Sequence, residues 1–102
     1  MYEIEFVQWL KAQGVSSKLC SDCVSRIKRI ERSIKDCDID EEYEKDRCEH
    51  LLSLFTNVGK NKEMEMYLIG DLPIGKYYLS AFSYSVRKYV IFKDAFNSLD
   101  EN

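Results

Sequence analysis

The chain of 102 residues is predicted to be all-α, a compact bundle of four to five helices in a single domain spanning residues 1–102. Three observations predict it. One proline and four glycines leave too few turn formers for an all-β fold. A hydrophobic share of 45%, with 13% aromatic residues, supplies a packed core and excludes a wholly disordered chain. Apolar residues also recur at alternating spacings of three and four along the longest segment, which is the helical period. The length suits one core, since single domains usually run to roughly 100–200 residues.

Residues 2–13 form the first predicted helix. Ile4, Phe6, Val7 and Leu10 recur at helical spacing, Trp9 flanks them, and Gly14 supplies a left-handed C-terminal cap. Ser16 or Ser17 then caps a second helix that ends near Asp36. Its apolar positions are Cys20, Cys23, Ile27, Ile30, Ile34 and Cys37, a heptad-like stripe sustained over five turns. Asp38-Ile39-Asp40 reads as a turn and N-cap for a third helix. Glu41, Glu42 and Glu44 fill its first turn, where carboxylates complement the positive end of the helix dipole. Tyr43, Cys48, Leu51, Leu52 and Phe55 supply its inward face. Residues 56–62 read as a loop, followed by a short helical piece around Met64–Ile69. Gly70-Asp71-Leu72-Pro73 breaks the chain, because a residue before proline is pushed out of helical geometry. The last helix runs from about Lys76 to Phe96. Tyr78, Phe82, Val86, Tyr89 and Phe96 make one stripe, and Tyr77, Tyr84, Lys88 and Ile91 make a nearly opposite one, with Arg87 beside it. A helix that is apolar on both sides is either sandwiched in the fold or offers one side to a partner.

No segment approaches the ~20 apolar residues of a membrane span, and the N-terminus lacks a signal peptide's basic start and apolar middle. A cytoplasmic protein without a membrane partner is therefore expected. The net charge of −3 argues against coating nucleic acid through bulk charge. The charge is uneven, however. Residues 16–35 carry six basic and two acidic groups, whereas residues 36–50 carry two basic and eight acidic ones.

The four cysteines invite a zinc reading, since Cys20-x-x-Cys23 is half of many structural sites. Cys20, Cys23 and Cys37 all continue the isoleucine stripe, so small core hydrophobes explain them better. On one helix Cys20 and Cys37 would lie about 25 Å apart, beyond the reach of one ion. A set of Cys20, Cys23 and Cys48, with His50 as a fourth ligand, stays geometrically open beside that core reading. His50 is the only histidine, and two residues from Cys48 on a helix it points elsewhere, a poor catalytic dyad. Gly59-Lys60 lacks the rest of a phosphate-binding loop, and the acidic run from Asp36 to Glu49 lacks the glycine and ligand alternation of a calcium loop. No catalytic residue, metal or cofactor is predicted. Lys18, Lys28, Arg29, Arg32 and Lys35 fall opposite the Cys/Ile stripe. They read as a solvated face, with Asp22–Arg26 and Glu31–Lys35 as i,i+4 pairs, or as a track for a phosphate backbone.

Taken in order, the segments FVQWL (6–10), SSKLCSDCVSRIKRIERSI (16–34), IDEEY (39–43) and SVRKYVIF (85–92) are similar to the SAM-like N-terminal, core-binding domain of tyrosine recombinases and phage integrases. The resemblance covers nearly the whole chain. It implies a helical unit of four or five helices that clasps one side of a DNA duplex while a separate domain performs cleavage. Ser16, Ser17, Lys18, Ser25, Arg26, Lys28 and Arg29 match positions that approach phosphate in that family. Arg87 and Lys88 match the basic pair of its last helix, and Ile27, Ile30, Tyr43, Tyr89 and Phe92 match packing positions. Cys23 stands where many relatives carry an aromatic residue. The recombinase's catalytic domain, its His-x-x-Arg and its nucleophilic tyrosine have no counterpart here.

The expectation is a non-enzymatic DNA-binding module that acts through phosphate contacts from this set, with Arg32 and Lys35 included. The competing expectation is a protein-interaction or regulatory module of phage or mobile-element origin. It would use Tyr77, Tyr84 and Ile91 against a protein partner or a second copy.

Overall fold

Phe6 and Leu10 set the first contact of the fold. They lie on one side of helix α1 (Glu3–Ala12), fully buried, with Val7 and Trp9 packed partly against the same core. Ile4, expected inward, lies away from the Phe6–Leu10 line and is 69% exposed. Gly14 closes the helix at φ +88°, a backbone conformation that costs glycine little and other residues more. The computed structural model describes residues 1–100.

Ser16 is the cap the next helix needs: its Oγ accepts from Leu19 N at 3.2 Å, opening α2 (Ser17–Ser33). Cys20, Cys23, Ile27 and Ile30 are buried as the stripe requires. The helix stops three residues short of Asp36. A later segment folds across its end: Ile69 N and Gly70 N both donate to Ser33 O, at 2.8 and 3.0 Å, and Lys35 N donates to Tyr67 O at 2.8 Å. Ile34 turns extended and bridges Leu68. Cys37 therefore lies off the helix, half-buried. Gly70 can sit there only without a side chain, since a Cβ would come 2.7 Å from Ser33 Cα.

Asp38 caps α3 (Ile39–Asp46) as expected, its Oδ1 accepting from Asp40 N and Glu41 N. The predicted single helix to Phe55 is in fact two. Arg47 and Cys48 adopt left-handed φ of 55° and 63°, and α4 (Glu49–Ser53) restarts in a new direction. The break lets Cys48 enter the core while Arg47 reaches Asp94. Residues Thr56–Gly59 form a short 3-10 turn, and Asn61 caps α5 (Lys62–Tyr67). A second 3-10 turn, Tyr77–Leu79, leads into α6 (Ser80–Asp100), longer at its C-terminal end than expected. Phe82, Val86 and Tyr89 are buried on the predicted stripe, whereas Tyr78 is half exposed.

The described residues thus make an all-α bundle of six helices. The sixth, beyond the four to five expected, is the five-residue α4, which arises because the predicted third helix breaks at Arg47 and Cys48, while α5 is the short helical piece expected around Met64–Ile69. Helix α6 packs mainly on α2, and α1 on both. Phe6, Tyr89 and Phe92 meet with ring centroids 5.0–5.4 Å apart at the centre of this contact. Each fully buried side chain of that size contributes about 1.5–3 kcal/mol.

Asp40 ties three elements together. Its Oδ1 accepts from Tyr89 Oη at 2.6 Å, and its Oδ2 lies 2.9 Å from the Met1 α-amino group. The Lys93 ammonium, buried in α6, stands 4.3 Å over the Tyr2 ring and 3.8 Å from Asp40 Oδ1. A buried lysine holds its charge only with such partners. A second tie joins Asp94 to Arg47 and, at 2.6 Å, to Tyr43 Oη.

Candidate nucleic-acid interface

The cations of α2, with Lys35 just beyond its end, separate into two groups by what they touch. Lys18 pairs with Asp22 at 3.3 Å, and Lys28 with Glu3 of α1 at 3.0 Å. Arg29 is held hardest. Its Nε donates to Asp71 O at 2.9 Å, its Nη2 lies 3.3 Å from Asp71 Oδ2, and its guanidinium stands 5.5 Å over the Phe82 ring. Arg26, Arg32 and Lys35 make no ion pair among the described residues. The two local pairs expected on this helix do not form. Asp22 turns to Lys18, and Glu31 accepts from Ile39 N at 2.9 Å, helping to position the start of α3.

Ser17 and Ser25 are exposed on the same helix, while Ser16 is committed to its cap. Arg87 is exposed on α6, and Lys88 stands 5.6 Å over the Tyr84 ring. No hydrogen bond, ion pair or ring contact links these two to the α2 cations among the described residues. They belong to the outward side of α6, with Tyr84 and Ile91, at 37% and 51% exposure. Tyr77 precedes them at 87% exposure. The second stripe of the last helix is therefore not sandwiched in the fold but faces outward.

The cysteines supply no chemistry at this surface. Cys20, Cys23 and Cys48 are core residues. Burial, with the Glu42 carboxylate adding to it, pushes both the Cys37 and Cys48 thiols up to about 12. At neutral pH they stay protonated, the form that is neither nucleophile nor metal ligand. Among the described residues no group of three or more His, Cys, Asp or Glu is arranged to hold a metal ion. His50 is half-buried, 3.4 Å from Glu63 Oε2 and edge-to-face with Tyr67. No described helix is long and apolar enough to cross a membrane.

One feature of the acidic stretch differs from expectation. Glu42 is placed by the sequence in the first turn of the third helix to complement its dipole, yet its side chain is buried. The signal is present in the spacing, since Ile39, Glu42 and Tyr43 follow i, i+3, i+4 and so share the inward side of α3. Glu42 lines a cavity that also includes Lys35, His50 and Tyr67. No protein-family model, curated protein or solved structure matches the chain.

Proposed function

We propose that the chain is a non-catalytic helical module of the core-binding type that contacts duplex DNA through its phosphates, with the outer side of α2 against the backbone. The observation that supports it is the set of three cations that no carboxylate neutralises among the described residues, Arg26 and Arg32 on the most basic helix of an acidic protein and Lys35 just beyond its end. The pairs of Lys18 and Lys28 are solvent-exposed. Exposed ion pairs are worth about 0–1 kcal/mol, so phosphate can compete for both side chains. Arg29 is the exception, because its backbone bond to Asp71 and its stacking on Phe82 give it a structural task. A few phosphate contacts give affinities on the order of 10⁻⁴–10⁻⁶ M at physiological salt, so a second copy or a partner protein would raise occupancy. Fluorescence anisotropy of a labelled duplex tests the reading. Binding that is lost in Arg26→Glu/Arg32→Glu, in a variant that keeps its helical spectrum, supports it. Absence of binding at high micromolar wild-type protein overturns it.

One observation favours a second reading. Tyr77, Tyr84 and Ile91 project outward beside Arg87 and Lys88, and aromatic, aliphatic and cationic side chains mixed in this way are typical of protein-interaction hot spots. A helical partner laid on α6 would use that side. Tyr84→Asp/Ile91→Asp should abolish such recruitment and leave DNA binding intact.

A further inference from the structure

The cavity beside Glu42 carries an inference of its own. Glu42 is 7% exposed. Its Oε1 has one long contact, 3.5 Å to Lys45 Nζ, and its Oε2 is buried without any hydrogen-bond partner. A desolvated carboxylate with an unmet acceptor is unfavourable until donors are brought to it. The cavity, about 490 Å³, lies between the end of α2, the helices α3 and α4, and the last residue of α5. Ile34, Leu51 and Leu54 form its apolar wall, and the Tyr67 ring lines it with His50 edge-on at 5.2 Å. Lys35, Lys45 and Asp36 complete the lining, so that with Glu42 it holds two ammonium groups and two carboxylates, the ammonium groups being the partners it offers an anion. Lys35 is also fastened to this wall, its backbone N donating to Tyr67 O.

Such a site asks for a planar ligand with donors on one edge, a face for an aromatic ring and an attached anion. A nucleotide has all three. Among DNA bases only guanine places two donors side by side, N1–H and the exocyclic N2–H, matching the two oxygens of one carboxylate. Adenine and cytosine set a single amino group beside a ring acceptor that the carboxylate repels, and thymine flanks its imide N–H with two carbonyls. A carboxylate's terminal torsion is soft, so Glu42 can turn both oxygens to the base as Lys45 yields its long contact.

We propose that the cavity holds one unpaired guanine nucleotide, with Glu42 accepting from N1–H and N2–H, Tyr67 against the base, and Lys35 and Lys45 on the phosphate. The DNA context of this pocket rests on the nucleic-acid reading above; the pocket itself is tested separately.

The experiment titrates the intact chain with dGMP, deoxyinosine monophosphate, dAMP and dTMP, following amide shifts by two-dimensional NMR, with a labelled duplex titrated alongside. Deoxyinosine monophosphate differs from dGMP only in lacking the exocyclic amine. Losing one hydrogen bond to a charged acceptor should weaken it about tenfold or more. The expected result is saturable dGMP binding with shifts at Lys35, His50 and Tyr67, weaker binding of the inosine analogue, and loss of the difference in Glu42→Gln. If Glu42→Gln fails to fold, the dGMP-to-inosine ratio on the wild-type chain decides. Equal binding of all four nucleotides, shifts elsewhere, or no binding at millimolar dGMP overturns the pocket. Duplex binding without dGMP binding would overturn the pocket alone, and dGMP binding without duplex binding would overturn the phosphate-tracking reading alone.

Discussion

Salt is the sharpest perturbation of the proposed interface, because the structure sets how many cations are available. Each phosphate neutralised on duplex DNA adds about −0.9 to the slope of log affinity against log salt. Arg26, Arg32 and Lys35, free of carboxylate partners among the described residues, give a slope of about −2.7. Raising salt fourfold, from about 50 to 200 mM, then weakens binding roughly 40-fold. If Lys18, Lys28 and Arg29 also abandoned their carboxylates, the slope would approach about −5.4 and the loss roughly 2,000-fold. Fluorescence anisotropy across that salt range separates the two cases. Arg32→Ala should flatten the slope by about 0.9, the contribution of one phosphate. Glu3→Gln should strengthen binding instead, because it releases Lys28 from its 3.0 Å partner. A slope shallower than about −1, or one that Arg32→Ala leaves unchanged, would refute phosphate tracking by α2.

Tyr89→Phe removes the 2.6 Å bond to Asp40 and the acceptor for Tyr2 N, so a loss of about 2 kcal/mol and a melting point lower by about 10 °C are expected by circular dichroism. Gly70→Ala forces a Cβ against Ser33 Cα and should cost about 1–3 kcal/mol in urea unfolding, with the end of α2 loosened in hydrogen exchange. Stability should fall as pH rises from 9 to 12: burial raises the Cys37 and Cys48 thiols, from 9.0 to about 12, and raises the Tyr43 and Tyr89 phenols, so the unfolded chain releases these protons first. Thermal melts at pH 7 and 10.5 check that sign, and a higher melting point at pH 10.5 would contradict it. Ile91→Asp should leave the melting point within about 3 °C, since a half-exposed residue away from the core tolerates substitution.

What the sequence made legible was local, and what it hid was long-range. The Ser16 and Asp38 caps, the Gly14 terminator and the Cys20–Ile30 stripe all follow from side chains acting within a turn or two, and all stand in the structure. The stripe continues in sequence through Ile34 and Cys37, yet the helix ends at Ser33 because Ile69 and Gly70, more than thirty residues on, take its carbonyl. Nothing near Arg47 or Cys48 announces a left-handed pair. Neither is glycine or asparagine, and the conformation is held by Cys48 entering the core and Arg47 meeting Asp94. The burial of Glu42 is legible in its i, i+3, i+4 relation to Ile39 and Tyr43, a signal that its place in an acidic first turn masks.

The same division governs the candidate interface. Six cations between residues 16 and 35 can be counted in the sequence, but their availability is a tertiary property. The i,i+4 rule assigns Asp22 to Arg26 and Glu31 to Lys35, and so predicts Arg26 and Lys35 neutralised and Lys28 and Arg29 free. The fold inverts that assignment. Asp22 goes to Lys18, Glu31 to a backbone amide, and the distant carboxylates Glu3 and Asp71 take Lys28 and Arg29. A charge-reversal experiment designed from the sequence would therefore have struck Arg29, where the strap of residues 67–71 is anchored, and confused lost folding with lost binding. Arg26 and Arg32 separate the two.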